Sequence, residues 1–103
     1  PYLGVRYLIV NEAVAEREKL PVRYGALLRG TEAGPAVIPG SPAERAKFQA
    51  EDIILEINGV KINEENPLGS LIQKYNIDEV INLKLRRGSE ILDFKVVLAE
   101  RPA

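Results

Sequence analysis

Every apolar run in this sequence is broken by glycine, proline or charge before it outgrows a strand. Leu8-Ile9-Val10 and Ala26-Leu27-Leu28 are typical, and nothing approaches the roughly 20 residues of a membrane-spanning helix. Such punctuation predicts short strands and short helices around one core. A chain of 103 residues has room for one hydrophobic core and not for two, so residues 1–103 are expected to form a single domain.

Residues 3–10 alternate, with Leu3, Val5, Tyr7 and Ile9 on one side and Gly4, Arg6, Leu8 and Val10 on the other. The second side is also partly apolar, which predicts a strand touched on both faces. Asn11 followed by Glu12 fits a helix start, and Pro21 ends that helix near Leu20. Residues 24–29 and 36–38 read as strands, separated by loop chemistry at residues 30–35. Ser41-Pro42-Ala43-Glu44 is the clearest local signal. Serine can cap a helix, proline suits its first position, and glutamate three residues later completes a capping box. A strand over residues 52–58 meets Asn58-Gly59, a two-residue hairpin turn, and returns through residues 60–62. Residues 64–67 open another helix, whose apolar face carries Leu68, Leu71, Ile72 and Tyr75 at spacings of three and four. Residues 79–87 and 90–98 form a last hairpin, and residues 100–103 a frayed tail. Strands and helices do not alternate regularly, which argues against a doubly wound parallel sheet. The expected fold is α+β, mainly β: an antiparallel barrel or sandwich of about six short strands capped by two to three helices.

The chemistry open to the chain is narrow. It has no cysteine and no histidine, which removes disulfides, thiolate nucleophiles, the Ser-His-Asp triad and nearly every catalytic zinc arrangement. Ser41 has no base to activate it and is explained as a cap. The acidic pairs Glu51-Asp52 and Glu64-Glu65 read as solvated turns and helix-dipole partners, not as a calcium site. No catalytic residue, metal ligand or cofactor is expected. Net charge is −1, with 14 basic and 15 acidic residues interspersed, so nucleic acid is not an expected partner. Arg86-Arg87 reads as a solvated strand end. The chain starts at Pro1 and contains no methionine, so it is read as a piece of a longer protein.

Tyr2-Leu3-Gly4-Val5 resembles the carboxylate-binding loop of PDZ domains in the HtrA (Deg) family of trypsin-like serine proteases. The stretch PAVIPGSPAERAKFQAEDIILEINGVKI at residues 35–62 and LKLRRG at residues 83–88 resemble the same domains, in the same order. Two positions depart from the family pattern. Lys47 stands where the family has glycine before the residue closing the short helix, and Glu51-Asp52 replaces its Gly-Asp.

The resemblance implies a peptide-binding module. An extended polypeptide would add as a strand along Val5, Arg6, Tyr7, Leu8 and Ile9. Its terminal carboxylate would sit in the loop Tyr2, Leu3, Gly4 and Val5, on the N–H groups of Leu3, Gly4 and Val5. Leu68, Leu71, Ile72 and Tyr75 would form the other wall, giving an apolar pocket without a cation. The expected partners are free C-termini or unfolded segments, together with the protease domain of a parent enzyme. The isolated domain is expected to be monomeric, and the compartment that of a bacterial periplasm or cell envelope. A non-catalytic scaffold or secretion-system PDZ domain, or the PDZ insert of a membrane metalloprotease, are the alternatives.

Overall fold

The computed structural model describes residues 1–102. Six strands, β1 (Tyr7–Ile9), β2 (Ala26–Leu28), β3 (Ile53–Ile57), β4 (Val60–Lys61), β5 (Val80–Arg87) and β6 (Glu90–Val97), form one antiparallel sheet. Three helices accompany it: α1 (Glu12–Glu18), α2 (Pro42–Arg45) and α3 (Leu68–Ile72). The strand order is β1-β2-β3-β5-β6, with β4 paired to β3. The antiparallel, mainly β architecture is the expected one, but the sheet does not close into a barrel. Its path ends at β1 on one side and β6 on the other.

Side-chain alternation divides the apolar residues between the two faces. Ala26, Leu28, Ile54, Ile57, Ile81, Leu83 and Leu85 point to the larger core, where Leu68, Leu71 and Ile72 of α3 also pack. Val10, Leu27, Ile53 and Leu55 point the other way, onto Ala15 of α1. Strands β1 to β3 are therefore covered on both faces, and this explains the partly apolar second side of residues 3–10. Val5, Tyr7 and Ile9 pack on the first cluster and Leu8 on the second. The far face of the β5–β6 hairpin is open, leaving Val80 and Val97 exposed as cross-strand partners.

The helix ends follow the local chemistry. The Asn11 side chain accepts from the Val14 N–H at 2.8 Å, and Lys19 closes α1 in the left-handed region at φ 55°. Ser41 Oγ accepts from the Glu44 N–H at 3.2 Å. The return arm of the capping box is shifted: Glu44 Oε1 accepts from the Gly40 N–H at 2.8 Å, while the Ser41 N–H goes to the Ile38 carbonyl. Asn58 (φ 48°) and Gly59 (φ 81°) make the tight turn between β3 and β4.

The two departures from the family pattern acquire a physical meaning. Lys47 has φ 68° and Glu51 has φ 74°. Both positions require the left-handed conformation that glycine adopts freely and that costs another residue roughly 1–2 kcal/mol. Glu51 gains a forked ion pair with Arg29, at 2.7 and 3.0 Å.

Several expectations are corrected. Residues 36–38 form a single bridge, Val5 to Val37, rather than a strand. α3 begins at Leu68, so Glu64 and Glu65 are not in its first turn; Glu64 instead accepts from the Asn11 side chain. Tyr75 lies past the end of α3 and is half-buried against the core. Arg87 is not a solvated strand end, and Asp52 is not a solvated turn residue. Asp52 is 1% exposed, and its two oxygens accept from Arg87 Nε and Nη2, both at 2.9 Å.

Candidate functional site: a cleft between the β1 edge and α3

β1 has one neighbour in the sheet, so half of its backbone groups face outward. Hydrogen bonds fix which half. The Val10 N–H donates to the Gly25 carbonyl, and the Arg6 carbonyl accepts from Arg29. In an antiparallel ladder the bonded pairs alternate, so Arg6, Leu8 and Val10 are turned toward β2. The Arg6 N–H is also taken, by the Ala36 carbonyl at 2.8 Å. Val5, Tyr7 and Ile9 are left with outward N–H and C=O groups, the row of unpaired partners that an added strand requires.

The loop before β1 is tied down through its carbonyls. Those of Tyr2, Leu3 and Gly4 accept from Ala99, Ala43 and Ile38 at 3.2, 3.0 and 2.9 Å. Its N–H groups are different. Among the described residues, those of Leu3, Gly4 and Val5 meet no acceptor, although Leu3 and Gly4 are buried. Buried backbone donors without partners are rare and costly. Three adjacent unpaired donors, two of them on buried residues, have the arrangement of an oxygen-binding nest.

Gly4 serves the fold as well as this site. Its φ is +91°, and a Cβ there would overlap the Ser41 side chain. Ser41 is 1% exposed, and its hydroxyl lies 3.4 Å from the Gly4 carbonyl. The loop is thus packed against the N-terminus of α2 with no room for a side chain.

α3 is pinned beside β1 by a contact distant in sequence. Pro67 precedes the helix and offers no side-chain cap. The first-turn N–H of Gly69 donates instead to the Tyr7 hydroxyl at 2.8 Å. A Cβ on residue 69 would stand 2.9 Å from that oxygen, so glycine permits the close approach. Between the loop, β1 and α3 lies a cleft of about 230 Å³ lined by Tyr2, Leu3, Gly4, Val5, Tyr7 and Ile72, with Pro1, Ile38, Gly69, Gln73 and Arg101. It is smaller than the roughly 300–1,000 Å³ of small-molecule sites.

Of the residues nominated from sequence, Tyr2, Leu3, Gly4, Val5, Tyr7 and Ile72 meet in this cleft. Leu68 and Leu71 lie in the core beneath it, and Leu8 packs on the opposite face of the sheet. Arg6 points away, donating to the Pro35 carbonyl at 3.0 Å, with its guanidinium against Gly34. Sequence reasoning missed Gly69 and Gln73. A glycine inside a helix pattern is the available signal for Gly69, because it marks a close approach. Gln73 lies four residues further along the same helix face. Ile38 and Arg101 had no local signal.

The groups with displaced pKa values lie outside the cleft. The Arg29 guanidinium holds the carboxyls of Glu51 and Glu18 below the usual glutamate range, and those carboxylates raise Arg29 in turn. Asp52 likewise raises Arg87. Among the described residues no group of acidic side chains is arranged to hold a metal, and no helix is long and apolar enough to cross a membrane.

Comparison with known proteins identifies the fold and the family. A probable periplasmic serine endoprotease, DegP-like, from Marinomonas sp. (strain MWYL1) is 35% identical over 101 residues, covering 98% of this chain and 20% of that protein. The chain thus spans about a fifth of the length of such relatives. The solved HtrA-type protease AlgW with a decapeptide superposes with a TM-score of 0.76 at 21% identity, over 99% of this chain and 30% of that one. The HtrA3 PDZ domain bound to a phage-derived ligand (FGRWV) gives 0.68 at 22% identity, over 95% of this chain and 82% of that one. The PDZ domain family itself matches residues 35–87, from the loop before the Val5–Val37 bridge to the end of β5. The chain belongs to the PDZ domain family, with relatives among the DegP/HtrA serine endoproteases.

Proposed function

We propose that this domain captures the free C-terminus of an extended polypeptide by strand addition to β1. The observation that carries the reading is the set of unpaired N–H groups on Leu3, Gly4 and Val5 beside the open edge of Val5, Tyr7 and Ile9. The ligand's backbone pairs with that edge, and its terminal carboxylate accepts from the three loop N–H groups. Leu3, Val5, Ile38 and Ile72 give the last side chain apolar walls, so an aliphatic or aromatic final residue is preferred. The peptides held by the AlgW and HtrA3 structures support a peptide as the ligand class.

In this reading the domain is one module of a longer HtrA-like serine protease. It presents unfolded or cleaved chains to a catalytic domain outside these residues, in the periplasm or cell envelope. The names of the relatives favour this over a scaffold or a metalloprotease insert.

Amide hydrogen exchange followed by NMR tests the proposal. Saturating peptide is expected to slow exchange at Leu3, Gly4, Val5, Tyr7 and Ile9. Arg6 and Leu8, whose N–H groups are already bonded or turned toward β2, should change little. Protection appearing along β6 with β1 unaffected would refute strand addition at this edge.

A further inference from the structure

We infer that Arg101 determines ligand affinity in the cleft by pairing with the terminal carboxylate of the bound polypeptide. The inference rests on the reading of the cleft as a carboxylate site and adds a side chain that local sequence reasoning did not supply. The local pattern of residues 100–103 predicts a frayed tail, and the family resemblance implies a pocket without a cation. The structure ties the tail to the loop instead. Tyr2 and Ala99 form an antiparallel bridge, with the Ala99 N–H donating to the Tyr2 carbonyl at 3.2 Å. Two residues later, Arg101 lines the same cleft as Tyr2, Leu3, Gly4 and Val5.

Its surroundings leave it available. Arg6, Arg17, Arg23, Arg29, Arg45 and Arg87 all hold a carboxylate or a carbonyl; Arg86 has no such partner, but it lies on β5, away from the cleft. Arg101 is exposed and, among the described residues, has no ion pair or side-chain hydrogen bond. Among the described residues it is the only charged side chain lining the cleft, and no acidic one does. The bridge to Tyr2 puts it at the loop end, where the unpaired N–H groups lie. A guanidinium presents parallel donors that match a carboxylate. The loop N–H groups and Arg101 therefore address one anion from the backbone and from a side chain, and the neutral upstream part of a ligand gains nothing from the arginine.

The test is a two-by-two calorimetric comparison. The probe is the tightest peptide without acidic residues recovered by the wild-type protein from a library of free C-termini, prepared as free acid and as amide. Wild type, Arg101→Ala and Arg101→Lys are titrated with both at low salt. For Arg101→Ala the expected result is an approximately fivefold loss for the free acid and none for the amide, as suits an exposed charge-assisted contact. Arg101→Lys should recover part of the loss. Equal losses for acid and amide would mean that Arg101 only packs, and no loss would mean that it does not engage the ligand; either overturns the inference. If the wild type itself does not distinguish acid from amide, the carboxylate reading fails, independently of Arg101.

Discussion

Gly4→Val is expected to lower the stability of the fold by about 4 kcal/mol, as well as abolishing ligand binding. Two costs combine. Residue 4 has φ +91°, a conformation that a β-branched residue reaches only with strain of about 1–3 kcal/mol. A side chain would also overlap Ser41, which is buried and caps α2; forcing extra atoms into a packed site costs roughly 1–3 kcal/mol more. Against a total stability of about 5–15 kcal/mol, the variant should be largely unfolded under mild denaturant. Guanidinium titration followed by circular dichroism measures the shift. Stability within about 0.5 kcal/mol of wild type would mean that the loop is not packed on the start of α2. The substitution therefore perturbs the fold and the site together, and ligand-side chemistry is the better probe of the loop.

Arg87→Ala is expected to cost about 3 kcal/mol. The Asp52 side chain is 2% exposed and Arg87 is 30% exposed, so truncating the arginine strands a buried carboxylate. Asp52 would keep only the Gln49 N–H, at 2.9 Å. The pair links the turn before β3 to the end of β5, and Arg87 also donates to the Lys47 carbonyl at 3.3 Å. Asp52→Asn combined with Arg87→Ala should recover part of the loss, because the stranded charge is then gone. The same guanidinium titration reads all three variants. A loss below about 0.5 kcal/mol for Arg87→Ala would show that the pair behaves as an ordinary surface ion pair.

The elements set by local chemistry were legible. Ser41-Pro42-Ala43-Glu44 starts α2, Asn11 caps α1, and Asn58-Gly59 turns β3 into β4. Each depends on residues within four positions of one another. The alternation of residues 3–10 likewise gave the two-sided burial of β1. What was illegible depends on distant partners. The Tyr7 hydroxyl takes a helix N–H 62 residues away, and Arg87 finds Asp52 across 35. Nothing near Glu64 and Glu65 showed that α3 would begin only at Leu68. The apolar pattern of α3 is carried by Leu68, Leu71 and Ile72, which pack on the core. Of the residues there that line the cleft, only Ile72 belongs to that pattern; Gly69 and Gln73 do not. For the loop of residues 2–5 only the family resemblance suggests the proposed role; a glycine between aliphatic residues would otherwise read as a turn. That its N–H groups lack acceptors and that β1 lies at the sheet's end are facts of topology, beyond the reach of local pattern.

The central claim is that the cleft holds a chain terminus and not merely an extended segment, and one comparison tests it most directly. A binding peptide is prepared as free acid and as C-terminal amide, and each is titrated calorimetrically into the wild-type protein. Strand pairing along Val5, Tyr7 and Ile9 and burial of the last side chain are the same for both. Only the charged acceptor for the N–H groups of Leu3, Gly4 and Val5 differs. A hydrogen bond to a charged group contributes about 1.5–3 kcal/mol, so the amide should bind at least about tenfold more weakly. Equal affinities would contradict carboxylate capture and leave the β1 edge as a site for internal segments.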